Sequence, residues 1–186
     1  MHTTPIGSQM GFSLLEGLIV LAIVILLARL TATPLHRWLH QFQAQQLAQA
    51  LVQDLWVARQ TAARFGQRAV LCGIDPLTSS CTSTGQWSHG RLLFVDQNNN
   101  GIRDPNEAIV KQRSPLPLGW TLRAGTEQLT HRISYAPTGG ARNISGSVVS
   151  GHYRLCPPPS SPHGGLRVVI NSLGRPRTQS AETGDC

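Results

Sequence analysis

The residues best suited to chemistry outside a hydrophobic core are arginines, and their sharpest grouping is Gly174-Arg175-Pro176-Arg177. Pro176 fixes its own φ and biases Arg175 towards an extended backbone. In an extended stretch, side chains at i and i+2 project to the same side. Two guanidinium forks then face outward together, a geometry suited to bidentate contacts with phosphates. The charge around the motif points the same way. From Lys111 onward nine cations (Lys111, Arg113, Arg123, Arg132, Arg142, Arg154, Arg167, Arg175, Arg177) face three anions, Glu127, Glu182 and Asp185. Over all 186 residues 16 Lys+Arg oppose 9 Asp+Glu, and all but one of the cations are arginine. Such a balance points to an anionic partner, nucleic acid or an anionic surface. An Arg bias in a GC-rich genome gives the same balance, so composition alone does not decide. Arg142, Arg154 and Arg167 are further candidates on charge alone. Few aromatic side chains are present for base stacking, so backbone contacts without sequence preference are expected.

Other chemistries find less support. Asp96-x-Asn98-x-Asn100-Gly101 followed by Glu107 has the spacing of an EF-hand calcium loop, with Gly101 at the turn position. Strand-like rather than helical flanks surround it, and Arg103 stands where such loops carry an apolar residue. A hairpin in which Asp and Asn cap their own backbone is the expected reading; calcium on Asp96, Asn98, Asn100 and Glu107 is the alternative, and no metal is expected. His36 and His40 lie four apart without a third ligand, and His89, His131, His152 and His163 are scattered. No Gly-x-Ser-x-Gly elbow, His-Glu-x-x-His or Gly-Lys-Ser/Thr phosphate loop is present. No catalytic residue, no cofactor and no enzymatic activity are expected.

The elements that must carry these residues begin with an apolar run, Phe12 to Ala28, interrupted by one carboxylate, Glu16. Its 17 residues are at the short end of the roughly 20 that span a bilayer. No Lys or Arg precedes it and no small-residue cleavage site closes it, which argues against a secretory signal peptide. An ionisable group inside such a segment is costly and is by default functional. From Arg29 to about Phe65 the pattern becomes amphipathic. Leu35, Leu39, Phe42, Leu47, Leu51, Leu55 and Ala58 recur at helical spacing between Gln-rich positions. Pro34 is expected to kink or locally melt the helix, and Gly66 to stop it. Beyond it, short strands are expected at 68–73, 91–95, 108–112, 121–123, 132–136, 147–155 and 166–171, separated by Gly/Pro/Ser/Asn clusters. The spacing indicates an antiparallel head rather than βαβ units.

The string Gly11-Phe12-Ser13-Leu14-Leu15-Glu16, followed by the apolar run, closely resembles the class III leader junction of type IV pilins and type II secretion pseudopilins. The resemblance implies cleavage by a prepilin peptidase after Gly11, N-methylation of Phe12, and pairing of Glu16 with the amino terminus of a neighbouring subunit. The physics agrees, since a buried carboxylate needs a partner. An uncleaved membrane anchor is the plainer alternative, and residues 1–10 lack the basic residue usual in such leaders. Val70-Leu71-Cys72-Gly73, Cys81, Gly85-Gln86-Trp87, Gly90, Leu92-Leu93-Phe94-Val95-Asp96 and the Asn98-Gly101-Asp104-Glu107 series resemble heads of the GspH/FimT/FimU type. Gly174-Arg-Pro-Arg177 resembles the Gly-Arg-x-Arg tail of FimT-like minor pilins, which bind DNA for uptake in natural transformation. Only Gly174, Arg175 and Arg177 carry over by motif.

The expected fold is α+β and pilin-like: a long N-terminal helix, transmembrane then amphipathic, packed on an antiparallel sheet. The expected map is a leader at 1–11, a transmembrane and polymerisation helix at 12–33, an amphipathic helix at 34–66 and a β-rich head at 67–186. Cys72, Cys81, Cys156 and Cys186 are even in number in an exported domain, which suggests disulfides. Of three pairings, Cys72–Cys81 and Cys156–Cys186 are favoured; a four-thiolate metal site would lack any Cys-x-x-Cys pair. Two functions are expected from this reading. One is a minor pilin that captures double-stranded DNA for uptake. The other is a structural minor pilin or pseudopilin that primes filament assembly without touching DNA. Either implies other pilins and a prepilin peptidase as partners, with a head held in the periplasm by the inner membrane before assembly into an extracellular pilus.

Overall fold

A computed structural model of the chain describes residues 13–186, apart from Ser79, Ser83, Ser160, Pro162, His163, Thr183 and the side chains of residues 29–37. The expected cleavage between Gly11 and Phe12 lies outside the described residues. Helix α1 runs unbroken over Leu14–Phe65. The local melting expected at Pro34 does not occur: proline removes one backbone donor, and Leu, Ala, Arg and Gln on either side are strong helix formers. Gly66, at φ +64°, ends the helix as expected.

Two compact units divide the chain, residues 1–39 and 40–186. In the first, the described side chains of residues 14–28 are exposed, and most are large and apolar. Among the described residues no helix is long and apolar enough to cross a membrane. Only part of the expected 12–33 segment has described side chains.

The second unit is built around the C-terminal part of α1. Its buried stripe is Ala44, Ala48, Leu51, Leu55, Ala58 and Ala62, stepping by three and four residues. Leu39 and Phe42, expected on this face, are about half exposed, while Leu47 is partly buried against the core. The stripe is drawn by alanines that a count of large apolar residues overlooks.

Among the described residues eight strands follow: β1 (Arg68–Gly73), β2 (Arg91–Asp96), β3 (Ile109–Arg113), β4 (Thr121–Ala124), β5 (Arg132–Tyr135), β6 (Gly151–Cys156), β7 (Leu166–Ile170) and β8 (Pro176–Ser180). They form two antiparallel four-stranded sheets, ordered β3-β2-β1-β5 and β4-β6-β7-β8. The strand expected over 147–155 begins only at Gly151, because residues 143–147 form a turn closed by Asn143. Strand β8 lies beyond the last expected strand, at 166–171. Proline is tolerated at the start of an edge strand, where its missing donor faces no partner.

Alternation along the strands sorts their side chains. Ala69, Leu71, Leu93, Ile133 and Tyr135 from the first sheet share one core with Leu122, Tyr153, Leu155, Val168 and Ile170 from the second and with the α1 stripe. Trp87 packs its ring 4.7 Å from that of Tyr153 and donates Nε1–H to the Thr130 carbonyl at 2.7 Å. Truncating Leu51 or Leu55, both fully enclosed, would cost about 2–5 kcal/mol. A smaller cluster of Val70, Cys72, Ile74, Leu92 and Phe94 lies on the other side of the first sheet, with Cys81 against it. Disulfides join Cys72 to Cys81 and Cys156 to Cys186.

One charged group is set into the helix–sheet junction. Asp54 of α1 accepts from Arg91 Nη2 at 2.9 Å, Lys111 Nζ at 2.8 Å and Arg113 Nε at 3.0 Å. Burial pulls the pKa of Arg91 down, and the charge and hydrogen bonds of Asp54 oppose that pull.

Candidate functional site

The Gly-Arg-Pro-Arg motif forms the exit of the β7–β8 turn. Asn171 organises it: its side-chain Oδ1 accepts from the backbone N–H of Leu173 at 3.1 Å and of Arg175 at 2.9 Å, and its carbonyl accepts from Gly174 N–H at 2.8 Å. Gly174 sits at φ +74°, buried against the neighbouring loop. A Cβ there would lie 2.7 Å from the Ala141 amide nitrogen and 2.9 Å from Tyr135 Cε1. Only glycine combines that dihedral with that clearance. The carbonyl of Gly174 accepts from Tyr135 Oη at 3.0 Å, which pins the turn to β5. Burial raises the pKa of that phenol, so it stays a donor at neutral pH. Pro176 is buried while Arg175 and Arg177 are exposed, so both guanidinium groups lie on the outward side.

Arg175 has neighbours. It lines a surface pocket with Arg59 of α1, Arg142, Thr138, Gly140, Ser172 and Leu173. Arg142 is placed by a second arginine: buried Arg68 donates Nη1 to the carbonyls of Arg142 at 3.2 Å and Asn143 at 3.1 Å and to Ser134 Oγ at 2.9 Å. Arg59 stacks 5.5 Å above the Trp56 ring, one turn back along the helix. No carboxylate lines the pocket, and none of the ion pairs among the described residues involves Arg59, Arg142, Arg175 or Arg177. Three cationic groups thus share the pocket, Arg177 stands two residues along from Arg175, and among the described residues none of the four is ion-paired.

The other two candidates differ. Arg167 is engaged by carboxylates of Glu182 and Asp185 in the C-terminal tail. Those contacts raise the pKa of Arg167 and hold Asp185 down at about 2. Arg154 lies beside it on β6, opposite both Arg123 and Arg167.

The 96–107 loop uses its oxygens to hold itself. Asp96 Oδ1 and Oδ2 accept from the amides of Asn100 at 3.1 Å and Gly101 at 2.9 Å. Glu107 accepts from the amides of Gln97 and Asp104, and Asn98 and Asn100 donate their side-chain amides to Asp104 Oδ2. Burial raises the Asp96 pKa, against the pull of those two amide donors. Among the described residues no group of three or more His, Cys, Asp or Glu could hold a metal. Glu16 lies exposed in the first turn of α1, where the helix dipole favours an anion.

The family model described as type II transport protein GspH matches residues 47–174, about two thirds of the sequence. The chain belongs to the GspH family. Two crystal forms of the type IV minor pilin FimU of Pseudomonas aeruginosa share the fold of this GspH-family chain. Each is 14% identical, with TM-scores of 0.52 and 0.54, covering 74% and 76% of this chain and 92% and 90% of FimU. The minor pseudopilin EpsH of the Vibrio cholerae type 2 secretion system matches at 14% identity and a TM-score of 0.50, covering 76% of this chain and 98% of EpsH. At such identity the likeness is one of fold. No curated protein matches the sequence.

The GspH match ends at Gly174, so Arg175 and Arg177 lie just beyond it. Sequence reasoning missed Arg59, whose contribution to the pocket depends on where the helix passes the β7–β8 turn. It also missed the acidic tail on Arg167. Glu182 and Asp185 entered only as two charges in a count, with no signal of what they face.

Proposed function

We propose that this protein is a minor type IV pilin whose head captures double-stranded DNA, without sequence preference, for uptake. The observation that carries the proposal is the uncompensated corner of Arg175, Arg177, Arg142 and Arg59 at the β7–β8 turn. Phosphates supply what these cations lack, Arg175 and Arg177 exposed and Arg59 and Arg142 half-buried, and planar guanidinium forks suit them better than ammonium groups would. In this reading residues 12–33 anchor the chain in the inner membrane with a periplasmic head, prepilin peptidase cuts after Gly11, and Phe12 is methylated. Glu16 then pairs with the amino terminus of a neighbouring pilin as the filament grows.

The test is duplex binding by the full chain in neutral detergent with both disulfides oxidised, followed by fluorescence anisotropy over a salt series. Four phosphate contacts give a log–log salt slope of roughly −4, alike for duplexes of unrelated sequence. Arg175→Ala/Arg177→Ala is expected to reduce that slope by about 2 while the protein stays folded. Absence of binding at low salt, or an unchanged slope in the double variant, rejects the reading.

A second reading is favoured by the family and its structural neighbours. GspH is described as a type II transport protein, FimU as a minor pilin and EpsH as a minor pseudopilin. On that reading the protein is a structural subunit that primes assembly of a pilus or secretion pseudopilus, and the arginine corner is a solvated turn.

A further inference from the structure

The sheet β4-β6-β7-β8 turns Leu122, Tyr153, Leu155, Val168 and Ile170 to the core, so its alternate residues face outward. The register sets Arg123 opposite Arg154, and Arg154 opposite Arg167, so three arginines stand abreast on three neighbouring strands. His152, Val169 and Arg177 form the adjoining row. Strands lie ~4.8 Å apart, so the arginine row is about 10 Å wide. Arg177 is the diagonal neighbour of Arg167, roughly 7–8 Å away. Like charges directly opposite one another destabilise a sheet. Three in a row therefore call for anions above them.

Part of that anionic cover comes from the chain itself. The tail folds back over β7, where Glu182 Oε1 meets Arg167 Nη1 and Asp185 meets both Nε and Nη2, the latter at 2.8 Å. Its backbone is fixed by Asp185 N–H to Glu182 O at 3.1 Å and Glu182 N–H to Asp185 Oδ2 at 2.8 Å. Cys186, the next residue, is bonded to Cys156 on β6, so the tail cannot drift away. Two carboxylates on one guanidinium reproduce the fork that two phosphate oxygens would make. Arg123 remains exposed, and Arg154 Nε is enclosed with no hydrogen-bond partner among the described residues.

We propose that the outward face of this sheet is a second surface for the phosphodiester backbone of duplex DNA, on which Glu182 and Asp185 occupy the places of phosphates and compete with them for Arg167. The surface continues from Arg177 to Arg167, Arg154 and Arg123, a row that reaches roughly three phosphates at 3.4 Å of rise each. It rests on the DNA-capture reading and extends it from the turn across the sheet. Asp185 is ionised at any pH where DNA stays duplex, since its pKa is held at about 2. Near neutral pH Asp185 therefore competes as a carboxylate, and phosphate concentration and salt shift the balance.

The test compares Glu182→Gln/Asp185→Asn with Asp75→Asn/Asp104→Asn in the full chain in neutral detergent, disulfides oxidised, with a fluorescent duplex as probe. The second pair removes the same charge from loops of the other sheet. Freed from the tail, Arg167 gains a phosphate contact, so the tail variant binds about tenfold tighter than the control and its salt slope steepens by about 1. Adding Arg123→Ala/Arg154→Ala to the tail variant removes the gain. Glu182→Gln alone, at an exposed position with little bearing on folding, keeps part of it. A tail variant no tighter than its control overturns the inference; if Arg175→Ala/Arg177→Ala still lowers the salt slope by about 2, the DNA-capture reading survives alone. Binding by the tail variant when the unaltered chain shows none supports the inference and moves the site from the turn to the sheet. No binding by any variant overturns both.

Discussion

Replacing Asp54 isolates the electrostatics of the helix–sheet junction. Asp54 and Arg91 have side chains 1% and 3% exposed, whereas Lys111 and Arg113 are 30% and 33% exposed. In Asp54→Ala the two outer cations can turn into water, and the cost falls on Arg91, left enclosed with no counter-charge. Breaking a buried pair in this way costs about 3–5 kcal/mol. Lys111→Ala and Arg113→Ala each remove a half-solvated partner and should cost about 1 kcal/mol or less. In a chain of this size 1 kcal/mol moves the melting temperature by about 2–4 °C. Asp54→Ala is therefore expected to lower it by roughly 6–20 °C, and each lysine or arginine truncation by a few degrees. Asp54→Asn keeps the volume and one acceptor but not the charge, and should fall near the alanine variant. The assay is thermal unfolding followed by far-UV circular dichroism at pH 7, disulfides oxidised, at low and high salt. The Asp54 effects should persist at high salt, because enclosed pairs are poorly screened. An Asp54→Ala shift no larger than that of Lys111→Ala, or a silent Asp54→Asn, would refute the argument.

Gly174→Ala should destabilise the head by about 1–3 kcal/mol, since it combines a left-handed backbone with a Cβ pressed on Ala141 and Tyr135. In urea titration the midpoint should fall with an unchanged slope. Cys156→Ser/Cys186→Ser opens a loop with a sequence separation of 30 and should cost about 3–4 kcal/mol on the chain-entropy account, again read by urea. Asp185 should titrate near 2 by carboxyl-carbon NMR and return towards 3.8 in Arg167→Ala. Because its folded pKa is depressed, its contact with Arg167 contributes fully above about 3.8 and fades as pH falls through about 2.

Local chemistry made much of the fold legible. Strands β1, β2, β3, β5 and β7 fall within two residues of their expected spans because each is a short β-branched or apolar run between turn residues. Gly66 marks the helix end through its backbone, which a sequence displays directly. Strand β8 was hidden because Pro-Arg-Thr-Gln-Ser has an edge strand's polarity and a loop's proline. The basic corner was half legible. Arg175 and Arg177 share a side through local geometry alone, but Arg142 joins Arg175 from another loop and Arg59 from the helix, more than a hundred residues back along the chain. Asp54 and the tail on Arg167 were not legible at all. A carboxylate on a Gln-rich helix looks solvated until the strands that cover it are known.

Strand β3 is the outer strand of its sheet, and one edge of its backbone is free to accept another chain. Lys111 and Arg113 point inward onto Asp54, and the ladder with β2 shifts register between Leu93 and Phe94. Inward charges and bulges at an edge are both devices that keep a sheet from adding a stranger's strand. A second head laid along β3 would have to align with an irregular edge and crowd two cations that already share one anion. At the far side of the other sheet, β8 opens with Pro176, which offers no donor to a newcomer. Asp54 therefore bears on colloidal behaviour as well as on folding: it helps molecules at high concentration to stay separate and to avoid zipping edge to edge into amyloid-like stacks.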